Sequence, residues 1–99
     1  MPDYRIEFHP NSIDEAVSAQ HWYAERSKAA SIAFVDELSH AVSKITEAPL
    51  RWPKYHSGTR RYIFPRYPFS LVYRIKFNQI EVIAIMHHRR KPGYWVKRK

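Results

Sequence analysis

The chain has 99 residues, enough for one domain around a single core and too few for a second domain. It has no cysteine, which excludes disulfide scaffolds, cysteine metal sites and thiol nucleophiles, and its 17 Lys and Arg residues against 9 Asp and Glu residues give a net charge of +8. That charge indicates an anionic partner. The lack of an apolar run of signal-peptide or membrane-spanning length predicts a cytoplasmic protein without membrane contact.

The N-terminal segment predicts a strand followed by a helix. Within residues 3–8, Tyr4, Ile6 and Phe8 share one face, which is typical of a short strand near the edge of a sheet. Ser12 followed by Glu15 matches a capping box and predicts a helix from about residue 13 to about residue 27. Helical spacing assigns its buried stripe to Ile13, Ala16, Val17, Gln20, Tyr23 and Ala24.

A second amphipathic helix is predicted from about residue 29 to about residue 47, where Pro49 ends it. Because the connection is short, the two helices are expected to pack antiparallel as a hairpin. The apolar face of the second helix contains Phe34, Val35, Leu38, Ala41, Val42 and Ile45. The irregular segment 50–59 follows. Its mixture of cations and aromatic rings suits a docking loop and also occurs in ordinary basic loops: Arg51, Trp52, Lys54, Tyr55 and His56.

Three further strands are predicted over residues 60–64, 69–77 and 80–87. From residue 69 to residue 77, one set of apolar residues alternates with a more mixed set, and the apolar set is expected to point at the helices. The first set is Phe69, Leu71, Tyr73, Ile75 and Phe77, and the second is Ser70, Val72, Arg74 and Lys76. Residues 80–87 are nearly all apolar and predict a central strand buried on both faces. The order β-α-α-β-β-β predicts one α+β domain over residues 1–99. In it, a helical hairpin packs on one face of a four-stranded, mainly antiparallel sheet.

The face of the sheet away from the helices is the first candidate site. We expect Ile83, Ile85 and His87 of the last strand to lie on this face, which would be open and concave. Its rim would carry five cations, with two aromatic side chains for stacking: Arg61, Arg74, Arg89, Arg90 and Lys91, with Tyr94 and Trp95. Such a set can bind a phosphate backbone and an unstacked base, and a solvated basic edge is the simpler alternative.

The same cluster supports a catalytic hypothesis. Metal-free RNA cleavage needs proton transfer and cations for the phosphate, which His87 or His88 with Arg61 and Arg89 could supply. Adjacent residues of a strand point to opposite faces, so one of the two histidines at most can take part. No histidine pair has metal-ligand spacing and the chain has only two glycines, so no metal, phosphate loop or cofactor is predicted.

These features resemble a known superfamily. The β-α-α-β-β-β order, HWYAERS in the first helix, and FSLVYRI followed by IEVIAIMHHRRKPGYW resemble the RelE/ParE superfamily of type II toxins over residues 4–95. The resemblance implies a small basic cytoplasmic toxin of a plasmid stabilisation system. It also implies a cognate antitoxin that wraps the toxin with an extended acidic or amphipathic segment, and hence a toxin–antitoxin hetero-oligomer.

The superfamily holds two activities, because RelE-like members are ribosome-dependent mRNA endonucleases and ParE-like members poison DNA gyrase. Aligned on LVYRI, Arg61 and Arg89 match two cations of RelE-like sites, and residues 94–95 stand near an aromatic of those sites. Ile63 and Ser70 stand where two further cations would be. The long helical hairpin with its adjacent Trp22 and Tyr23 resembles the ParE branch.

The resulting hypothesis is a ParE-like toxin that binds DNA gyrase. The residues expected to bind the target or a nucleic acid are Arg74, Arg90, Lys91, Tyr94 and Trp95. The first alternative is a RelE-like endonuclease that acts on mRNA at the ribosome, with His87, Arg61 and Arg89 as catalytic residues. The second alternative is a degenerate toxin that retains only antitoxin binding.

Overall fold

The computed structural model describes residues 3–98 and has the predicted element order. The elements are β1 (Arg5–Phe8), α1 (Pro10–Ala24), α2 (Lys28–Glu47), a short 3-10 turn (His56–Gly58), β2 (Arg60–Ile63), β3 (Phe69–Lys76) and β4 (Gln79–His87). The sheet order is β1-β4-β3-β2, with β1 parallel to β4 and the other pairs antiparallel. The predicted α+β fold and the edge position of β1 are confirmed. Within residues 3–98, neither helix is long and apolar enough to cross a membrane.

The start of α1 differs from the predicted capping box. The helix begins at Pro10, and His9 is its N-cap, with the imidazole Nδ1 accepting a hydrogen bond from the Asn11 amide at 3.1 Å. Ser12 therefore lies inside the first turn, where its hydroxyl donates to the His9 carbonyl at 2.7 Å. Proline has no backbone N–H, so at the first helical position no donor is left without an acceptor, which favours this earlier start. Glu15 is thereby released for contacts outside the helix.

The buried face of α1 is rotated from the predicted stripe. Ser12 and Ala19 are buried, with Ala16 and Tyr23 packed against the core, whereas Ile13 and Val17 are 49% and 44% exposed. In α2, Phe34, Ala41 and Ile45 are buried as predicted, but Val35 is 40% exposed. The prediction was wrong for Ile13, Val17, Ala24 and Val35. Each helix carries apolar residues on more than one face, so the apolar pattern alone does not decide which face is buried. In α1 the small side chains of Ala16 and Ala19 face the core and allow close packing against the sheet.

An aromatic cluster fills the space between the helices and the sheet. Phe34, which has no solvent exposure, lies 5.4 Å from Tyr23 and 5.3 Å from Phe69 between ring centroids.

The carboxylate of Glu37 accepts hydrogen bonds from the amides of Arg66 and Tyr67, at 2.7 and 3.3 Å. The second helix thus holds the turn between β2 and β3 as well as covering the sheet.

The turn between β3 and β4 lies one residue earlier than expected. Lys76 pairs with Gln79, so Phe77 and Asn78 form a two-residue turn, and Phe77 has a positive φ of 58°. Phe77 is 91% exposed, so the prediction that it points at the helices was wrong. Because the chain must reverse within two residues, the last residue of the alternating pattern leaves the strand.

The second face of the sheet is covered by the chain's own C-terminal segment. Val72, Ile83, Ala84 and Met86 form a second buried cluster with Trp95, and none of them is more than 2% exposed. The expected open concave face is therefore absent from the described residues. Residues 88–98, called the tail below, fold back over it because the apolar side chains of central strands need a cover on both faces.

Candidate functional site

A bulge in β4 determines which face its last residues occupy. Val72 pairs with Ala84 and Tyr73 with Val82, so Ile83 is an additional residue in β4. One additional residue reverses the alternation of every position after it. Ile83 lies on the second face as predicted, whereas Ile85 packs in the core under the helices.

His87 follows the same reversed alternation. It pairs with Phe69, whose ring lies 4.9 Å away between centroids and which belongs to the core under the helices. The expectation that Ile85 and His87 face away from the helices was therefore wrong, because the bulge was not visible in the alternation of the sequence. His87 instead faces α1.

A cleft of about 870 Å³ separates α1 from the C-terminal half of β4. It exists because β1 ends at Phe8, opposite Val82, so β4 has no strand neighbour on that side beyond Val82. Its floor is apolar, formed by Ala19, Tyr23, Phe69 and Ile85, and Trp22 lies on its wall. Its rim carries Asp14 and Glu15 from α1. It also carries four basic side chains from the last residue of β4 and the start of the tail: His87, His88, Arg89 and Arg90.

His87 is held in one tautomer. Its Nδ1 accepts a hydrogen bond from the Arg89 amide at 3.0 Å, so in the neutral ring the proton is on Nε2. Burial lowers the pKa of His87, and the positive charges of Arg89 and His88 lower it further, so the ring is neutral at pH 7. In this state the imidazole offers Nε2–H as a donor and has no free lone pair to act as a base.

The cationic rim is partly occupied by contacts within the chain. The guanidinium of Arg90 lies 3.9 Å from the centre of the Tyr94 ring, and Arg98 lies 5.0 Å from it. The Tyr94 hydroxyl donates to Glu15 Oε2 at 2.6 Å, and burial together with that hydrogen bond raises the Tyr94 pKa above its usual range. Tyr94 is therefore fixed in place, whereas Lys91 is exposed.

Trp95 is placed differently from its predicted role. It is 2% exposed, and its ring stacks on Tyr55 at 5.4 Å with an interplanar angle of 18°. Arg61 also contacts the Tyr55 ring, with its guanidinium carbon 4.3 Å from the ring centre. Trp95 thus covers the sheet, and it would have to leave that position to stack on a base.

The structure brings together only two of the three predicted catalytic residues. Arg89 is adjacent to His87 at the rim of the cleft, whereas Arg61 pairs with Val72 and lies on the opposite face of the sheet. Arg74 donates to Glu81 Oε1 at 2.7 Å, so its charge is paired across β3 and β4. Among residues 3–98, no group of three His, Asp or Glu side chains is arranged to hold a metal ion.

Sequence reasoning missed an ion pair beside the cleft. Glu15 accepts from the Ile85 amide at 3.0 Å and from both terminal nitrogens of Arg98 at 2.9 Å. Arg98 also donates to the Ile83 carbonyl at 3.0 Å, so the pair satisfies the free edge of β4 beyond β1. No local signal could reveal this, since Glu15 and Arg98 lie far apart in the chain and Glu15 fits a capping box.

Comparisons with known proteins agree with this architecture. The model of the family described as ParE toxin of type II toxin-antitoxin system, parDE, matches residues 6–92. A solved structure titled as the chromosomal ParDE TA system from P. aeruginosa superposes with a TM-score of 0.74 at 15% identity, over 88% of this chain and 98% of that one. Among curated proteins, no sequence matches the chain at a significant level. Since the family match spans most of its length, the chain belongs to the ParE toxin family of type II toxin–antitoxin systems.

Proposed function

We propose that this ParE family member arrests bacterial growth by binding DNA gyrase in the cytoplasm and that a cognate antitoxin neutralises it. Family membership supports a toxin. The observation that favours gyrase over mRNA as the target is the separation of His87 from Arg61. These residues lie on opposite faces of the sheet, so no phosphate group could contact both.

Exposed apolar side chains on the helical hairpin support a protein target. Five large apolar side chains of α1 and α2 remain between 40% and 54% exposed. They are Ile13, Val17, Trp22, Ile32 and Val35. Exposed apolar groups of this kind supply the anchors of protein–protein interfaces, whereas nucleic-acid interfaces are more polar and more positively charged.

The cleft beside β4 supports the antitoxin. A floor of apolar side chains under a rim with Arg89 and Arg90 fits an extended segment that carries both acidic and apolar residues. With a net charge of +8, the toxin would attract such a segment from a distance. The expected assembly is a toxin–antitoxin hetero-oligomer, and it would leave no open cleft.

A ribosome-dependent mRNA endonuclease is the second candidate. It is favoured by the position of His87 in a cleft beside Arg89 and Arg90, where a phosphate could be held. It requires the imidazole to give up its hydrogen bond to the Arg89 amide before the ring can accept a proton at Nδ1.

Induced expression in a bacterial host tests the target, with the DNA-damage response and mRNA integrity followed in one culture. Gyrase poisoning should induce the damage response while transcripts stay intact. Rapid transcript cleavage without DNA damage would overturn the proposal and favour the endonuclease. Unaffected growth in a gyrase-sensitive host would favour a degenerate toxin that binds only an antitoxin. Co-expression of the adjacent antitoxin gene should restore growth.

Two pairs of variants separate the candidate surfaces. His87→Ala should leave toxicity unchanged, with His40→Ala, an exposed residue of α2, as its control. Ile32→Ser should reduce toxicity, because the residue is 54% exposed on α2 and lies outside the cleft, whereas Leu50→Ser, at a residue 65% exposed elsewhere, should not. Loss of toxicity in His87→Ala alone would contradict the gyrase assignment.

A further inference from the structure

Charge is divided unequally between the two halves of the chain. Residues 51–99 contain thirteen Lys and Arg against a single Glu, a formal charge of +12, whereas residues 1–50 contain four against eight acidic residues, a formal charge of −4. The first half supplies β1 and both helices, and the second supplies β2, β3, β4 and the tail. The helices cover one face of the sheet and the tail covers the other, so the cations of the tail lie away from the acidic residues of α2.

Most cations of the second half have no acidic partner. Among residues 3–98, the ion pairs in that half are Arg74 with Glu81 and Arg98 with Glu15. Five other cations lie on the tail or on the sheet face that the tail covers, with Arg89 and Arg90 where this face meets the rim of the cleft. Together they are called the basic face: Arg61, Arg89, Arg90, Lys91 and Lys97. Unpaired like charges on one side of a small domain repel one another, and an anionic ligand would remove that repulsion.

The basic face offers few anchors for a protein. The apolar side chains beneath it, including Val72, Met86 and Trp95, are at most 2% exposed because the tail covers them. Within residues 51–98 and outside the Phe77 turn, Ile63 and Val96 are the large apolar side chains that remain half exposed. Protein interfaces depend on apolar and aromatic anchors, whereas binding to a phosphate backbone depends on cations.

The aromatic rings near the basic face are also engaged. Tyr55 contacts both the Trp95 ring, at 5.4 Å between centroids, and the Arg61 guanidinium, at 4.3 Å from the Tyr55 ring centre. Tyr94 lies under Arg90 and beside Arg98. Single-stranded nucleic acid is bound by free aromatic rings on which its bases stack, and neither ring is free for that. A duplex presents its phosphates without exposing its bases, so the arrangement favours a duplex.

We propose that the basic face binds the phosphate backbone of duplex DNA without sequence preference. The helical side, with its exposed apolar residues, then remains free for a protein. A toxin could then bind gyrase through its helices, from the acidic first half of the chain. It could bind the DNA held by gyrase through the basic face, from the second half. The DNA contact is a property of the chain alone, and it does not require that gyrase be the target.

Fluorescence anisotropy of a labelled DNA duplex, titrated with the purified full-length chain over a series of salt concentrations, tests the proposal. Each phosphate contact contributes about 0.9 to the slope of log K against log salt concentration. The double variant Lys91→Gln with Lys97→Gln, both exposed on the tail, should therefore reduce the magnitude of the slope by about 2. The matched control, Arg26→Gln with Lys28→Gln, removes the same charge at the exposed connection between the helices and should retain the wild-type slope.

Three results would overturn the proposal. The wild-type chain could fail to bind the duplex at low salt, or it could bind a single strand of RNA or DNA of the same length more tightly than the duplex. Neither comparison depends on a variant. In the third result, the control pair reduces the slope as much as the Lys91 and Lys97 pair does. Binding would then depend on the total charge of the chain and not on one face. A chain that poisons gyrase but does not bind the duplex would contradict this inference and leave the gyrase proposal intact.

Discussion

The carboxylate of Glu15 receives two hydrogen bonds of 2.9 Å from the guanidinium of Arg98, although the two residues are 83 positions apart. The same carboxylate accepts from the Ile85 amide and the Tyr94 hydroxyl. One side chain of α1 thereby joins the free edge of β4 to two residues of the tail, Tyr94 and Arg98. The side chains of the ion pair are only 17% and 13% exposed, so water competes weakly for it.

Replacing Glu15 should loosen the tail. Glu15→Gln removes the charge that Arg98 and Tyr94 share and should lower the free energy of unfolding by about 2 kcal/mol. Chemical denaturation measures the loss, and limited proteolysis should then cleave the tail sooner than in the wild type. Asp14→Asn, at the exposed neighbouring residue, should change stability by less than about 0.5 kcal/mol. Equal losses in both variants would show that the network does not hold the tail.

Trp95 should prove to be a packing residue. Trp95→Ala removes the ring that covers the second face and should cost about 3 kcal/mol of unfolding free energy. Val96→Ala, at a residue 51% exposed, should cost far less. If Trp95→Ala keeps wild-type stability and loses target or nucleic-acid binding, Trp95 acts as the sequence predicts, as a stacking side chain.

Phe77 occupies a backbone conformation that suits another residue. At a φ of 58° a bulky side chain is strained, and Phe77 is 91% exposed, so its ring gains little from packing. Phe77→Asn should raise the free energy of unfolding by about 0.5 to 1 kcal/mol, because asparagine tolerates this conformation. Ile63→Asn, in a regular strand at 52% exposure, should lower it. A loss of stability in Phe77→Asn would show that the ring makes contacts worth more than the strain.

His87 should make the fold less stable in acid. Because burial and the neighbouring cations lower its pKa in the folded state, the unfolded chain binds this proton more readily. The destabilisation begins as the pH falls through the unfolded value of about 6.5 and grows until the lower folded pKa is reached. His87→Gln should remove that part of the pH dependence of thermal stability. An NMR titration of the His87 ring that gives a folded pKa above 6.5 would contradict this expectation.

Much of the fold follows from local patterns. Residues 69–76 alternate and form β3, and the nearly continuous apolar run of residues 80–87 forms the central strand β4. Apolar spacing also predicted both ends of α2 to within one residue. In the structure, the Ser27 hydroxyl caps the start of the helix by accepting from the Ala30 amide, and the helix ends before Pro49. These features depend on side chains only a few positions apart, so a short stretch of sequence is enough to predict them.

The candidate site depends on relationships that no short window contains. A single additional residue at Ile83 moves His87 to the helix side and away from Arg61, and the alternation of β4 is too uniformly apolar to reveal it. The tail covers the second face because Trp95 stacks on Tyr55, and the hydrogen bond between Arg98 and Glu15 holds the end of the tail in place. The sequence by itself determined the elements, their order and the excess of positive charge. Only tertiary packing decided which face each charge occupies, because register and long-range pairing depend on contacts between distant segments.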